Sequence, residues 1–190
     1  MIKRKKITVF GPKPKNLSIQ RNDAGVPIIK ADSLKDALWG SGYVHATDRS
    51  TQVLMMRILG QGRLCELLSD TEESFKIDHF FRKANWLNSL DEEVEKLDES
   101  SLGLCQAYCD GVNAGLSNKK ISAMKLLGYR PEPWRIKEII LVSRMASYLT
   151  LAQSQAEVER LCVELVQAGH STDQLADRVS LDASSLAVAI

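Results

Sequence analysis

"GYVHATDRSTQVLMMRILGQGRLCELL", residues 42–68, has the apolar spacing of an amphipathic helix and too much polar equipment for an ordinary one. His45, the pair Asp48–Arg49, Arg57 and Arg63 are threaded between its apolar residues. His45 and Asp48 are three apart, on one helix face, the arrangement of a general-base pair. Such a pair needs a nucleophile to serve. The stretch therefore poses a choice between chemistry and support.

Upstream, "LSIQR" (17–21) and "VPIIKA" (26–31) flank Asn22-Asp23-Ala24-Gly25. Alternating apolar positions around an Asp/Gly turn predict a hairpin, and Pro27, lacking an N–H, puts its strand at an edge or a start. "ITVF" (7–10) predicts a further strand ending at Gly11-Pro12. Ser33 with Asp36 approximates a capping box and opens a helix. Leu34, Leu38, Ser41 and Val44 form its predicted apolar stripe, continued by Leu54 and Ile58 until Gly60 and Gly62 break it.

Downstream, "IDHFFRKANWLNSL" (77–90) and "LDESSLGLCQAYCDGVNAGL" (97–116) predict two further helices. The second is expected to end through Gly111, Asn113 and Gly115, which tolerate left-handed backbone. "LLGYRPEPWR" (126–135) is a proline-pinned loop, and a long apolar helix over 136–168 closes at Gly169. The expected organisation is one α+β domain over 1–190: strands in 1–32, helices in 33–168, and a short polar helix and small-residue tail in 169–190.

Hydrophobic residues at 44% and charged residues at 26% describe a soluble globular chain. A net charge of +1 gives no electrostatic footprint for nucleic acid or an anionic membrane. The basic start MIKRKK runs into "ITVFGPKPK" rather than the ~7–15 apolar residues of a signal peptide, and no segment approaches a membrane span of ~18. The expected location is cytoplasmic, or periplasmic if a leader was removed. Cys65, Cys105, Cys109 and Cys162 form no C-x-x-C pair, so they read as small buried hydrophobes. His79, in an aromatic-rich helix, reads as packing, and His170, behind a helix-ending glycine, as structural.

No G-x-S-x-G elbow, H-E-x-x-H, Walker loop or dinucleotide fingerprint is present. As an enzyme, the chain looks incomplete. Yet the order "RNDAGVPIIKA", "GYVHATDRSTQVLMMR", "GRLCE", "IDHFFRKANWL", "YCDGVN" and "GYRPEPW" resembles the α chain of the penicillin acylase family of N-terminal-nucleophile hydrolases. The family pattern runs D-x-G-V-P-x-I-x-A, G-Y-x-x-A-x-D-R-x-x-Q-x-x-x-x-R, G-R-L-x-E, an aspartate–arginine helix, Y-x-x-G-V-N and G-Y-x-P-x-P-W. All six elements occur in order.

The resemblance implies an α chain cut from a precursor, which completes an αββα sandwich with a separate β chain. The nucleophile is then the first residue of the β chain, with its own α-amine as base, and no catalytic residue lies here. It implies a linear-amide hydrolase acting on N-acylated small molecules such as penicillins, acyl-homoserine lactones or lipopeptide antibiotics. Under it, the "HATDR" helix is scaffold, with Asp48, Arg49, Arg57 and Arg63 in charge-assisted pairs at a buried interface. Met145, Tyr148 and Leu149 are implied to line the acyl pocket. Tyr148 and Leu149 stand where better-known members carry Arg and Phe, a departure that suits an aliphatic acyl chain. Glu157 is implied as a ligand of one structural Ca²⁺ shared with the β chain.

Two other readings compete. "STDQLADRVSLDASSLAVAI" (171–190) has a helix-turn-helix cadence, but "ASSLAVAI" offers no side chain for base edges. A standalone helical interaction protein without activity is the second, and it would be stable alone.

Overall fold

The computed structural model describes residues 5–6, 13–117, 128–129, 131–171 and 174. The strand predicted at 7–10 and nearly all of the tail predicted at 169–190 lie outside them. The chain groups into two compact units, Met1–Ser143 and Arg144–Ile190.

The first unit opens with a three-stranded antiparallel sheet in the order β1 (Lys5–Lys6), β2 (Ser18–Arg21), β3 (Pro27–Lys30). In the hairpin, Ile19 pairs with Ile29 and Arg21 with Pro27. Gly25 supplies the turn's left-handed residue at φ 78°, and the Asn22 side chain accepts from Val26 N at 2.8 Å. β3 starts at Pro27 and forms one edge of the sheet, as predicted.

Helices follow: α1 (Leu34–Asp48), α2 (Ser50–Gly60), α3 (Leu64–Leu67), α4 (Glu72–Ala84), α5 (Leu90–Glu95), α6 (Glu99–Leu116) and α7 (Ile136–Ser147), which crosses into the second unit. Ser33 caps α1 by accepting from Asp36 N at 3.1 Å, the forward half of the expected box. Asp98 caps α6 through Ser101 N and Ser101 Oγ, and the Ser101 bonds hold its carboxyl below the usual range.

α1 and α6 pack backbone to backbone. A Cβ on Gly42 would lie 2.2 Å from Tyr108 O, and one on Gly111 2.0 Å from Trp39 O. The predicted stripe is met in part: Val44, Leu54 and Ile58 are buried, but Leu34 is 64% exposed and Leu38 and Ser41 are half-buried, while Trp39, Tyr43 and Ala46 are buried instead. Gly111, Asn113 and Gly115 do not end α6 either, since the helix continues to Leu116. Its glycines serve close packing.

Trp39, Tyr43, Val44 and Ala107 meet Leu17 and Ile19 of the hairpin in one core cluster. Cys109, Val112, Ala46 and Trp134 form the next, and Leu54, Ile58 and Tyr129 a third.

In the second unit a π-helical segment, Tyr148–Ala152, leads into α8 (Gln153–Gln167). Gly169 closes it at φ 94°, with its N–H on Val166 O and that of His170 on Leu165 O, as the sequence predicts.

Gly111→Ala and Gly103→Ala, both within α6, should change stability in opposite directions. At Gly111 the clash with the Trp39 carbonyl outweighs the ~1 kcal/mol gained in helix propensity, because overpacking costs ~1–3 kcal/mol or more. At Gly103 a Cβ meets nothing within 4 Å, so the helix gain remains. Denaturant unfolding of the two variants checks the signs.

Candidate functional site

The polar groups of residues 42–68 act as supports. Asp48 forms a salt bridge to Arg21 of β2, not to Arg49, and the pair is partly exposed, with side chains 28% and 29% accessible. Arg49 is exposed and ends α1, because its backbone at φ −130° and ψ 28° leaves the helix. His45 is exposed too, with Nδ1 2.9 Å from the Tyr108 hydroxyl. Asp48 thus makes a charge-assisted pair, as expected. A hairpin strand, not a helix neighbour, supplies the partner, and within this chain the bridge stays wet.

Among the described residues Arg57 is the buried cation, 1% exposed. Its partners are neutral oxygens: Nη1 donates to Glu132 O at 3.0 Å and Nη2 to the Tyr129 hydroxyl at 2.8 Å. Its guanidinium carbon lies 5.2 Å from the centre of the Trp134 ring. Arg63 makes the expected bidentate pair, with Glu66 at 2.9 and 2.7 Å, and reaches Glu132 at 3.2 Å. The Arg63 bonds hold the Glu66 carboxyl low, and Glu66 in turn keeps the guanidinium firmly protonated.

Asp78 and Arg82 explain the aspartate–arginine helix. Buried Asp78 accepts from Leu64 N at 2.7 Å and Cys65 N at 2.9 Å, while Arg82 Nε donates to Gly62 O at 2.8 Å. Gly62, at φ 59°, makes the turn that presents those groups. His79 packs at 6.2 Å on Phe75.

The proline-pinned loop is held just as tightly. Asn113 Oδ1 accepts from Trp134 N at 2.7 Å and its Nδ2 donates to Trp134 O at 3.0 Å. Glu138, 2% exposed, accepts from Arg135 N at 2.8 Å and opens α7. Sequence reasoning missed Asn113 and Glu138 as anchors. Asn113 was legible only as a helix-ending residue, and Glu138 three positions beyond Arg135 is a capping spacing.

None of the four cysteines is paired. Cys109 and Cys162 are buried as expected, whereas Cys65 and Cys105 are half-buried. Burial pushes the Cys109 thiol up to about 12, leaving almost no thiolate to act as a nucleophile near neutral pH.

The residues assigned to substrate and metal lie in the second unit. Met145 is 1% exposed, and Tyr148 and Leu149, in the π-helical segment, are 41% and 47% exposed. Thr150 Oγ1 donates back to Ala146 O at 2.8 Å there. π-helical turns frequently sit at functional sites. Glu157 is an exposed carboxylate on α8, and its neighbour Glu159 accepts from Gln155 at 2.7 Å. Among the described residues no three His, Cys, Asp or Glu side chains gather as a metal site. A single glutamate cannot supply the six to eight oxygens of Ca²⁺, so the described residues form no calcium site by themselves. Among them, also, no helix is long and apolar enough to cross a membrane.

Comparison with known protein families matches residues 16–189 to the family Penicillin amidase. The chain belongs to that family. Among curated relatives, an acyl-homoserine lactone acylase QuiP of Pseudomonas putida is 35% identical over 149 residues, 77% of this chain and 18% of that protein. A penicillin acylase 2 proenzyme of a Pseudomonas species is 33% identical over 133 residues, 69% of this chain and 17% of that protein. The chain thus spans under a fifth of the length of these relatives. Among solved structures, a thermostable penicillin G acylase of Alcaligenes faecalis matches with a TM-score of 0.65 at 20% identity, covering 86% of this chain and 89% of that one. That likeness carries the fold.

Two predictions follow from the geometry. Asp48→Ala should cost at most ~1 kcal/mol, as for other wet ion pairs. Arg57→Ala should cost ~3–5 kcal/mol, because it opens a cavity and leaves the Tyr129 hydroxyl and Glu132 carbonyl without their donor. Chemical denaturation of both variants reads the difference. At pH 8, iodoacetamide should leave Cys109 unlabelled until denaturant is added. Labelling of Cys109 at the rate of a free thiol in the folded protein would contradict its burial.

Proposed function

We propose that this chain is the α subunit of an amidohydrolase that removes the acyl group from an N-acylated small molecule. The observation that carries the reading is the family match over residues 16–189. Coverage supports the subunit assignment. The curated relatives are matched over 17–18% of their length, but the solved acylase chain over 89%, so the counterpart there is a short chain. One of those relatives is itself a proenzyme.

In this reading the β chain of the same precursor brings the nucleophile as its first residue, with the α-amine as general base. The nucleophile's oxygen or sulfur attacks the amide carbonyl, the amine leaves with a proton, and water then releases the acid from the acyl-enzyme. The α chain supplies scaffold and part of the acyl pocket, through Met145, Tyr148 and Leu149. Any Ca²⁺ at Glu157 depends on oxygens from the second chain.

An aliphatic acyl chain suits this wall. Each additional buried CH2 is worth ~0.8 kcal/mol, which corresponds to an increase of about 3- to 4-fold in kcat/KM until the pocket is full. The test expresses the complete precursor and assays the processed enzyme on acyl amides from two to twelve carbons. A rising profile that Leu149→Trp shortens, with the shortest substrates still cleaved, is the expected result. A flat profile, or a phenylacetyl preference that Leu149→Trp leaves unchanged, removes these residues from the site. Absence of any amide hydrolysis refutes the enzyme reading itself.

A further inference from the structure

We propose that the groove along α4 lined by Cys65, Phe75, His79, Arg82 and Lys83 binds an apolar monocarboxylate, with its acyl tail over Phe75 and its carboxylate at Arg82 and Lys83. All five residues lie within the first unit. The site does not depend on Met145, Tyr148 and Leu149 as pocket wall. Only the source of the ligand, an acid released by amide hydrolysis, rests on the amidohydrolase reading.

α4 uses one face to hold the start of α3. Ser74 and Asp78, four apart, are buried there, and both Asp78 oxygens are spent on Leu64 N and Cys65 N. The neighbouring flank has no such occupation. Phe75, His79 and Lys83 follow along it at four-residue steps, with Arg82 beside Lys83. Between this flank and Cys65 opens a largely apolar cavity of about 430 Å³, with Asp78 at its base. Small-molecule sites occupy ~300–1,000 Å³.

The two ends of the groove differ in chemistry. At one, Phe75 is 62% exposed and stacks with His79. A lone exposed aromatic is commonplace, but one that lines a cavity offers a place for carbon. At the other end Arg82 Nε is tied to Gly62 O at 2.8 Å, which fixes the guanidinium and leaves its Nη groups to donate. None of the described carboxylates forms an ion pair with Arg82 or Lys83. Basic residues in a last helical turn also favour the dipole, but the dipole accounts for neither the cavity nor Phe75. A planar guanidinium held at one edge is preorganised for a carboxylate. Seven residues of helix separate Phe75 from Arg82, ~10 Å along the axis, so acetate reaches only one end. A chain of medium length reaches both. An alcohol of the same length leaves the two cations without an anion.

Cys65 reports occupancy, because it is half-buried in the groove wall. The processed enzyme made from the complete precursor is labelled with N-ethylmaleimide at pH 8, with and without sodium decanoate below its micellar concentration. Labelled peptides are quantified by mass spectrometry, and half-buried Cys105 of α6 is the internal control. We expect decanoate to slow Cys65 labelling fivefold or more and to leave Cys105 unaffected, while decanol and acetate leave both unprotected. Phe75→Ala and Lys83→Glu, both at exposed positions, should each raise the decanoate concentration for half-protection about tenfold. Equal protection by decanol, no protection by decanoate, or full protection retained in Lys83→Glu overturns the proposal. So does a Cys65 that stays unlabelled in the ligand-free enzyme, because the second chain then covers the groove. The same preparation is assayed on dodecanoyl p-nitroanilide. Protection without hydrolysis keeps the site and refutes the amidohydrolase reading, and hydrolysis without protection does the reverse.

Discussion

The close approach of α1 and α6 is the constraint on which the first unit depends. At Gly42 and Gly111 the facing backbone stands where a Cβ would have to go, and at Gly115 the Cβ of Ala46 does. Three glycines on two helices thus let main chains touch, and dispersion between close-packed backbones replaces the usual interlocking of large side chains. That contact decides which sides of α1 and α6 remain for everything else. Trp39 and Tyr43 turn toward the hairpin, while Cys109 and Val112 turn toward Trp134. The hairpin and the proline-pinned loop are therefore docked on a shared two-helix post.

What could be read beforehand follows from how each feature writes itself into sequence. Turns and caps are local, so the Asn22–Gly25 turn, the Ser33 cap and the Gly169 stop were legible from two to four residues each. The packing face of α1 was not. Glycine adds nothing to an apolar stripe, so the periodicity found Val44 but also pointed to Leu34, Leu38 and Ser41 and missed the turn of Trp39, Gly42 and Ala46. The same blindness made Gly111 and Gly115 look like a helix end. Only the partner helix gives them their meaning, and the partner lies some seventy residues away.

Polar residues were legible as support but not as particular bonds. The sequence suggested carboxylate or carbonyl partners for these arginines; Arg63 has carboxylates and Arg57 a carbonyl. Arg57 is buried against a phenol oxygen, a carbonyl and an indole face, a combination that spacing alone does not encode. The family resemblance was legible because each of its six elements is a short local string. The chemistry was legible only as a gap, since nothing in the described residues assembles a nucleophile with a base.

Glu132 shows how that supporting role is arranged. Its backbone carbonyl accepts from Arg57, while its carboxylate pairs with Arg63, six residues further along the same stretch. Had Arg57 taken the carboxylate, a buried ion pair would have faced the desolvation cost of two charges, and Arg63 would have lost its second partner. With the carbonyl taken instead, the buried charge is single, forked and stacked on Trp134, and the carboxylate stays at the surface where its hydration is kept. Trp134 in turn presents its backbone to Asn113 of α6. The Gln-x-x-x-x-Arg, Gly-Arg-Leu, Gly-Val-Asn and Pro-x-Pro-Trp strings are thus parts of one bonded unit. Each supplies a donor or acceptor that another one takes.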